Sequence, residues 1–410
     1  MPFFLAVLPS VAAVAAFRFL RRCLTPPPHL PIPPPPLISP STKPFSTNRL
    51  SSSSGTTMDG HRPSTLLLLA GKSAEENDLA QSLKSKTETL KLGGEEEEIR
   101  ILLQHEMDSI TPPTFNSQLY MDALSTSLFG RLLIWSPRLS STHDLVSQNF
   151  SELPLGTVCI TDIQFKGRGR AKNAWDSPEG CLLFSFTLQM EDGRKLPLLQ
   201  YVVSLAVTEA INESCRAKGL PQLDVRIKWP NDLYLDGLKV GGILCTSTYR
   251  SKKFNVCSGI GLNLDNEKPT TCLNTTLQKW GSGTNRLTRE DILAAFFNSF
   301  ENLYEIFLIQ GFQVLEELYY KTWLHSGQKV IIEEQHEGKS VEQIVVTVQV
   351  MWKCRISLKN YNPCDISYII QGLTSSGYLL ATDEDKKSYE LHPDGNSFDF
   401  FKGLVRRKLG

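Results

Sequence analysis

The sequence predicts an α+β fold, in which a mixed sheet with packed helices is followed by a small all-β module. Three observations support this prediction. Short apolar runs bounded by Pro or Gly are typical of strands, and two longer stretches carry apolar residues at helical spacing. The last part of the chain holds only short β-rich segments. With 410 residues, 41% of them hydrophobic, the chain has room for two or three globular domains.

The first 58 residues differ in composition from the rest. They contain no Asp or Glu, four arginines of which three are Arg18, Arg21 and Arg22, a proline cluster from Pro26 to Pro36 and the serine run Ser51–Ser54. This composition predicts a removable organelle-targeting segment followed by a disordered spacer. The arginines follow the apolar stretch, which disfavours a secretory signal, and that stretch is short and contains Pro9, which disfavours a membrane anchor. Met58 is a candidate start for a shorter cytosolic form.

Charge and cysteine content narrow the function classes further. The 43 basic and 43 acidic residues balance, so no broad electrostatic footprint for nucleic acid or membrane is expected, and any basic function is local. Nine cysteines occur without a C-x-x-C pair or a zinc-finger spacing. An odd count of this kind favours free thiols in a reducing compartment, and no structural metal is expected.

Residues 59–130 form an N-terminal region to which the sequence assigns no chemistry. A strand-like run, Leu66–Leu69, precedes a polar helical stretch, and the acidic tract Glu95–Glu98 is typical of a solvated loop. The predicted catalytic domain spans residues 131–325. It begins with three strand-like segments, at Leu133–Trp135, Thr157–Phe165 and Cys181–Met190.

Two helices follow in this domain. Apolar spacing predicts the first over Leu198–Lys218, with Gly219 as its C-terminal stop. The second begins at Thr288, whose hydroxyl can cap the helix, and its aromatic stripe is expected to be core.

A hairpin is predicted between the helices. Asp236-Gly237 is a two-residue turn typical of β-hairpins, so Leu235 faces Leu238 and Tyr234 faces Lys239. Lys239 and Asp232 then become diagonal neighbours within reach of one ligand. An exposed ion pair is the ordinary interpretation, but the glycine pair after Val240 leaves room for something to approach closely.

Residues 326–410 predict the small β module, interrupted by a segment at 350–370 that breaks an otherwise continuous β pattern. We interpret this segment as an insertion, and as a retained intron in the gene model. Comparison of transcripts is the test.

The basic glycine-bearing motifs carry the chemistry. Gly167–Arg170 reads Gly-Arg-Gly-Arg, Lys228–Asp232 reads Lys-Trp-Pro-Asn-Asp, and Lys239–Gly242 reads Lys-Val-Gly-Gly. Glycine lets backbone N–H groups approach an anion, and neighbouring Arg and Lys side chains neutralise its charge. One such loop alone is often a solvated turn, but together the motifs predict one anion-binding site.

Together with Gly259–Asn263, these motifs closely resemble those of the biotin protein ligases, also called holocarboxylase synthetases, of the plant type. The resemblance covers about residues 130–410. It implies a class II synthetase-like catalytic domain with a small SH3-like β-barrel after it. It also implies activation of biotin by MgATP as biotinyl-5′-AMP and transfer to one lysine of a carboxylase's biotin carboxyl-carrier domain, of the acetyl-CoA carboxylase type.

The resemblance also assigns roles by position. The catalytic residues would be Arg170, Lys239 and Asp232, with Asp232 also the candidate Mg²⁺ ligand. Biotin would contact Ser141, Thr142, His143, Gln164, Arg168, Gly169, Arg170, Lys239, Gly242 and Gly259. ATP would contact Arg168, Arg170, Trp175, Lys239 and Asn263.

Several features limit or extend this resemblance. Ala171, Asn173 and Ala174 stand where bacterial relatives carry more basic residues, and His143 replaces an Asn found in many of them. No helix-turn-helix module precedes the catalytic domain, so no nucleic-acid partner is expected. A monomer or weak dimer without membrane contact is expected. Lipoate protein ligase and a non-catalytic biotin or adenylate sensor remain alternatives. The composition of the leader predicts import into the plastid, with the mitochondrion as the alternative location.

Overall fold

The structure is a computed structural model. It describes residues 64–92, 98–106, 113–281, 284–325, 329–333, 343–346, 368–383, 388–392, 396–399 and 404–407. The targeting leader, Met58 and nearly all of the acidic tract 95–98 lie outside the described residues, as does most of the predicted insertion 350–370.

A nine-stranded mixed sheet forms the centre of the molecule. Its strands run in the spatial order β2-β1-β3-β4-β5-β9-β8-β7-β6. They are β1 Ser64–Gly71, β2 Glu98–Leu103, β3 Leu132–Leu139, β4 Val158–Gln164, β5 Cys181–Met190, β6 Arg226–Lys228, β7 Asp232–Leu235, β8 Leu238–Arg250 and β9 Lys253–Asn263. The pairs β1/β2 and β3/β4 are parallel and the others are antiparallel. The predicted strands of the catalytic region are therefore confirmed.

Helices pack on this sheet and against each other. They are α1 Ala74–Ser85, α2 Ser117–Ala123, α3 Thr142–Gln148, α4 Leu196–Ala217, α5 Leu273–Lys279, α6 Arg289–Gln310 and α7 Glu316–Thr322. The two long predicted helices are α4 and α6, which contact each other extensively. At α6 the predicted cap is present as a capping box between Thr288 and Asp291.

The aromatic stripe of α6 is core, as predicted. Phe296, Phe297 and Phe300 are at most 1% exposed, and Phe296 meets Phe184 of β5 edge to face at 5.0 Å between ring centroids. Within the described residues, α6 is the one helix whose length and hydropathy would suffice to cross a membrane. Because 56% of its apolar window is buried inside the protein, a core role explains that composition.

The N-terminal region contributes to the same sheet as the catalytic strands. Strand β1 pairs with β3 through Leu68↔Trp135 and its neighbours, and β2 extends the sheet beyond β1. Leu67, Leu69 and Ile134 share one hydrophobic cluster. The domain boundary at residue 130 stays a prediction, and strands from both sides of it lie in one sheet.

A second, smaller sheet follows α7. Its strands are β10 Lys329–Glu333, β11 Gln343–Val346, β12 Tyr368–Leu373, β13 Leu379–Asp383, β14 Ser388–Leu391, β15 Asn396–Asp399 and β16 Leu404–Arg407. The path β14-β13-β12-β10-β16-β15, with β11 beside β10, is antiparallel except for β10/β16. The predicted β module is therefore confirmed as a sheet, and its closure into an SH3-like barrel stays a prediction. The last three residues of the predicted insertion, 368–370, lie in β12.

The hairpin between β7 and β8 follows the predicted turn but not a regular register. Asp236 and Gly237 have φ of 51° and 77°, as a type I′ turn requires, and Leu235 pairs with Leu238. Beyond Tyr234↔Lys239 a β-bulge shifts the register, so Asp232 pairs with Gly242. The extra residue is Val240, and a bulge re-aims the side chains around it.

Candidate active site

One cavity collects nearly all of the predicted site residues. Its volume is about 410 Å³. Of the thirteen residues assigned above, twelve line it: Ser141, Thr142, His143, Gln164, Arg168, Gly169, Arg170, Trp175, Asp232, Lys239, Gly242 and Gly259. They come from the start of α3, the end of β4, the loop after it, and strands β7 to β9. Segments far apart in sequence thus share one site.

Asn263 is the exception, because it does not line the cavity. Its side chain is buried at the end of β9, where the amide donates to the Thr270 hydroxyl at 3.2 Å and the Thr271 carbonyl at 3.1 Å. The Thr270 hydroxyl in turn donates to the carbonyl oxygen of Lys239 at 2.8 Å. In this structure Asn263 supports the backbone beneath Lys239, and its contact with a nucleotide stays a prediction.

One part of the cavity, which we call the polar end, is built from neutral hydrogen-bonding groups. The Gln164 amide oxygen accepts from the Thr142 backbone N–H at 2.8 Å, and the amide nitrogen donates to the Ser177 hydroxyl at 3.0 Å. The Thr142 hydroxyl lies 2.9 Å from that of Ser185. Ser141 caps α3 by accepting from the Asp144 N–H. These groups are fixed by one another before any ligand arrives.

His143 completes the polar end as a neutral imidazole. Burial, assisted by the positive charge of Arg168, lowers its pKa from 6.5 to about 4. Nε2 lies 3.1 Å from the Thr246 hydroxyl, while Nδ1 is buried and has no partner within the described part of the chain. A buried polar atom without a partner is costly, so Nδ1 is ready to bond a ligand.

Gly259 provides the space that His143 occupies. A β-carbon at this position would lie 3.0 Å from the Ser185 hydroxyl oxygen and 3.1 Å from Cδ2 of His143. Since both neighbours are held by their own hydrogen bonds, a side chain at Gly259 would displace the polar end.

The second part of the cavity, which we call the cationic end, contains the charged residues of the lining. Its lining includes four cations and one carboxylate: Arg168, Arg170, Lys228, Lys239 and Asp232. Asp232 holds Lys239 in an ion pair of 2.6 Å, and the Arg170 guanidinium donates to the Asn231 side chain at 3.2 Å. The Lys239 and Asp232 side chains are 36% and 22% exposed. An exposed pair of this kind contributes at most about 1 kcal/mol, so an anionic ligand can take over the lysine at little cost.

The β-bulge places Gly242 beside the Lys239–Asp232 pair. By setting Gly242 opposite Asp232, it brings Lys239 and Gly242 to the same face: a β-carbon on Gly242 would lie 3.6 Å from Asp232 Oδ1 and 3.8 Å from Lys239 Cε. Without the extra residue, strand alternation would place positions 239 and 242 on opposite faces.

Trp175 forms part of the floor of the cationic end. Its indole lies against the backbone of Gly261, where a β-carbon would come within 2.5 Å of the indole nitrogen. The Lys239 ammonium lies 5.2 Å from the ring centroid, which is a cation–π distance. A flat ring backed by a glycine strand is a surface on which a planar base can stack.

The Gly-Arg-Gly-Arg segment is a narrow loop closed by its own backbone. Trp175 N–H donates to the Gly167 carbonyl at 2.9 Å, and Gly169 N–H donates to the Asn173 carbonyl at 2.8 Å. Arg168 is tied to Asp144 at 3.2 Å although its side chain is 61% exposed. The loop therefore projects two guanidinium groups over the cavity from an exposed position.

The donor set of the cavity does not form a resident metal centre. Asp232 is the one carboxylate among the described lining residues, and no group of three or more His, Cys, Asp or Glu side chains in the described ranges is placed to hold an ion. Mg²⁺ is often held by one or two carboxylates together with phosphate oxygens. Asp232 therefore fits an ion that arrives with a nucleotide.

Sequence reasoning missed several lining residues. Lys228 pairs across the strand with Asp232, and Asn231 bonds Arg170, yet within the Lys-Trp-Pro-Asn-Asp motif only Asp232 received a role. The alternation of β6 and β7 was a usable signal for Lys228. Ser185 and Ile243 gave no signal, because they lie within apolar strand runs.

Comparison with known proteins decides the family. Residues 135–263 match the family model described as "Biotin/lipoate A/B protein ligase family". "Biotin--protein ligase 1, chloroplastic" of Arabidopsis thaliana is 56% identical over 376 residues, which cover 91% of this chain and 95% of that protein. "Biotin--protein ligase 2" of the same plant is 58% identical over 346 residues, or 84% of this chain and 98% of the relative.

The chain belongs to the biotin protein ligase family. The predicted family, the predicted fold class and the prediction of a ligase are thereby confirmed. Among solved structures, a mutant biotin protein ligase from Aquifex aeolicus in complex with biotin is 25% identical and covers 63% of this chain and 94% of its own, at a TM-score of 0.45. The assignment of this ligase rests on the two plant relatives.

Proposed function

We propose that this ligase condenses biotin with ATP to biotinyl-5′-AMP and pyrophosphate, and then transfers biotin to one lysine of a biotin carboxyl-carrier domain. The observation that supports the reaction is the pairing of a neutral polar end with a cationic end in one cavity of about 410 Å³. A carboxylate and an α-phosphate repel each other in water. Three cations above and beside them, Arg168, Arg170 and Lys239, offset that repulsion.

In the first step a carboxylate oxygen of biotin forms a bond to the α-phosphorus of ATP. The bond from that phosphorus to the bridging oxygen breaks, and pyrophosphate leaves with the electron pair. Negative charge accumulates around the phosphorus in the transition state, which is where Lys239 and Arg170 stabilise it most. Trp175 offers its ring to adenine, and Asp232 contributes a carboxylate to Mg²⁺ that accompanies the nucleotide.

In the second step the neutral amine of the acceptor lysine attacks the acyl carbon. The carbon–oxygen bond to the phosphate breaks, AMP leaves, and the amine proton passes to solvent or to Asp232. A carboxylate beside the reacting carbon orients the incoming amine. The acceptor belongs to a carboxylase of the acetyl-CoA carboxylase type, in line with the plant resemblance.

Biotin is favoured over lipoate by the chemistry of the polar end. Thr142 and the unpartnered Nδ1 of His143 are buried and Gln164 is partly buried; these hydrogen-bonding groups match a ureido ring and leave a dithiolane without partners. A site built to hydrogen-bond its substrate discriminates strongly against an analogue that cannot. A sensor without turnover would not need cations where the transition state concentrates charge.

Incubation with ATP, labelled biotin and an apo carboxyl-carrier domain tests these alternatives together. Label on the acceptor lysine, together with pyrophosphate release, supports the ligase. Labelling with lipoate instead shifts the assignment to a lipoate ligase, and tight adenylate binding without transfer supports the sensor.

We further propose that the leader directs this ligase to the plastid. One plant relative is named as a chloroplastic protein. The leader's acid-free, Ser/Pro-rich composition supports this address. Fluorescent fusions that start at Met1 and at Met58 test it. Plastid fluorescence of the longer fusion supports the proposal; mitochondrial fluorescence contradicts it, and cytosolic fluorescence of the shorter one supports a second start.

A further inference from the structure

Trp229 is held from behind the cavity by groups that the proposed reaction does not use. It lines the cavity, is 4% exposed, and precedes the turn that carries Asn231 and leads into Asp232 of β7. Its backbone N–H donates to Nε2 of His325 at 2.8 Å. Its indole N–H donates to the Tyr201 hydroxyl at 2.8 Å and also reaches the Gly377 carbonyl at 3.3 Å. Both the main chain and the side chain of Trp229 are therefore anchored.

The Tyr201 hydroxyl is the centre of this anchor. It accepts from Trp229 and donates to the carbonyl oxygen of Gly377 at 2.5 Å, and the residue is 1% exposed in the second turn of α4. Burial raises the pKa of the phenol, so it remains a donor at neutral pH. One hydroxyl thus links the segment between β6 and β7, the core helix α4 and the turn between β12 and β13.

Gly377 belongs to the tight turn between β12 and β13. The turn is closed by its N–H, which donates to the Thr374 carbonyl at 2.8 Å, and Gly377 has φ of 81°. A β-carbon there would lie 3.0 Å from both Leu198 Cδ2 and Tyr201 Cε2. A side chain at this position would press on Leu198 and Tyr201, so glycine allows the turn to pack closely against α4.

We propose that Tyr201 is a positioning residue that couples the C-terminal turn at Gly377 to the cationic end through Trp229. The inference rests on the proposed function. Two residues after Trp229, Asn231 bonds Arg170, and the next residue, Asp232, pairs with Lys239. A shift of Trp229 therefore misplaces the partners of both cations, although Tyr201 itself touches neither substrate.

The polar end is independent of this anchor. Its hydrogen bonds run among Thr142, Gln164, Ser177 and Ser185, on α3, β4 and β5 and in the loop between those strands, and none involves Trp229 or Tyr201. Biotin keeps the polar-end contacts when the anchor is lost, so the loss should impair ATP use more than biotin affinity. General loosening of the protein would not separate the two substrates in this way.

Replacement of Tyr201 by phenylalanine removes the hydroxyl and keeps the ring. In full-length protein, Tyr201→Phe should lower kcat for biotin-dependent pyrophosphate release about tenfold and raise KM for ATP severalfold, while KM for biotin stays within about twofold. The inference would be overturned if both KM values changed equally, or if neither kcat nor KM for ATP changed. If the wild-type protein itself releases no pyrophosphate with biotin, the proposed function fails instead, which keeps the two failures distinct.

A second variant changes the other partner of Tyr201, in the turn between β12 and β13. Gly377→Ala presses a methyl group onto Tyr201 and should reproduce the same split between ATP and biotin. Gly281→Ala is the matched control, since Gly281 has φ of 80° but nothing within 4 Å of an added β-carbon. In the double variant with Tyr201→Phe the losses should be less than multiplicative. Fully multiplicative losses, or a Gly377→Ala effect no larger than that of Gly281→Ala, would refute the coupling.

Discussion

The two ends of the cavity differ in how firmly they are built. The polar end is buried and neutral: Thr142 is 3% exposed and His143 is 8% exposed, and hydrogen bonds fix the surrounding groups. At the cationic end, Arg168 and Lys239 have side-chain exposures of 61% and 36%. Buried neutral networks are rigid and specific, whereas exposed cations rearrange at little cost.

This difference assigns a separate task to each end. A rigid polar end selects its ligand in the ground state, because a wrong ligand leaves buried groups unsatisfied. The more exposed cations instead stabilise the charge that develops in the transition state and then allow the product to leave. Mutations at the cationic end should therefore change rate constants, and mutations at the polar end should change substrate affinity. Variants at both ends test that division, and they are taken in order of decreasing effect.

Lys239→Ala should lower kcat for adenylate formation by about 10²- to 10³-fold, the loss typical of one electrostatic contact to the transition state. The fold should remain intact, because a half-exposed strand lysine is not a packing residue. Pyrophosphate release and circular dichroism measure the two effects.

Lys253→Ala is the matched control for that variant. It removes a lysine of the neighbouring strand β9 whose partner, Glu191, lies 3.3 Å away and outside the cavity lining. If Lys239→Ala kept the wild-type rate, Lys239 would have no role in the chemistry. The proposed difference between the cationic end and the polar end would then lose its main support.

Thr142→Val should raise KM for biotin about tenfold or more with little change in kcat. The substitution keeps the side-chain shape but removes the hydroxyl that bonds Gln164 and lies 2.9 Å from Ser185. Steady-state kinetics with biotin as the varied substrate measure it.

The control is Thr276→Val in α5, a threonine that is also 3% exposed and whose hydroxyl bonds a backbone carbonyl outside the cavity. If Thr142→Val lowered kcat and left KM for biotin unchanged, the polar end would act on the transition state and the division of tasks would be wrong.

Arg170→Gly should weaken retention of the adenylate by up to about tenfold, because its guanidinium is tied to Asn231 and faces the cavity from an exposed loop. The escaped adenylate then labels exposed lysines on an unrelated bystander protein, which mass spectrometry detects. Arg194→Gly, at an exposed arginine paired with Asp192, is the control. Label confined to the carrier domain would contradict the role of this loop as a lid.

For His143 we expect the rigidity of the polar end to affect the pH dependence of the free energy of unfolding, and not the reaction rate. Its pKa is 6.5 in the unfolded chain and about 4 in the folded protein, so the unfolded state binds the proton more readily. Stability therefore falls as pH drops from about 6.5 towards 4, by at most about 3 kcal/mol, and levels off below that.

Denaturant unfolding of wild-type protein and His143→Gln between pH 4 and pH 7 isolates this contribution, since the other titrating groups are common to both proteins. If the free energy of unfolding depended on pH identically in the two proteins, His143 would be accessible to protons in the folded state. The polar end would then be looser than its hydrogen bonds suggest.

Much of the fold could be read from local pattern. The strand Cys181–Met190 matches the predicted bounds, and the second long helix begins at the predicted Thr288 cap. These features depend on neighbours in sequence, such as apolar spacing and capping side chains. The contribution of residues 64–103 to the central sheet was not foreseen, because strand pairing between distant segments leaves no local pattern.

By itself, the sequence determined which residue types carry the chemistry and the two-residue turn at Asp236-Gly237, since glycines, arginines and turn residues act through local backbone freedom and charge. Only the tertiary structure decided how they meet. The β-bulge at Val240 brought Gly242 to the face of Lys239 and Asp232, the packing at the end of β9 used Asn263 for support, and Tyr201 reached Trp229 from a helix. Such contacts join segments far apart in the chain, and they depend on packing that no single segment encodes.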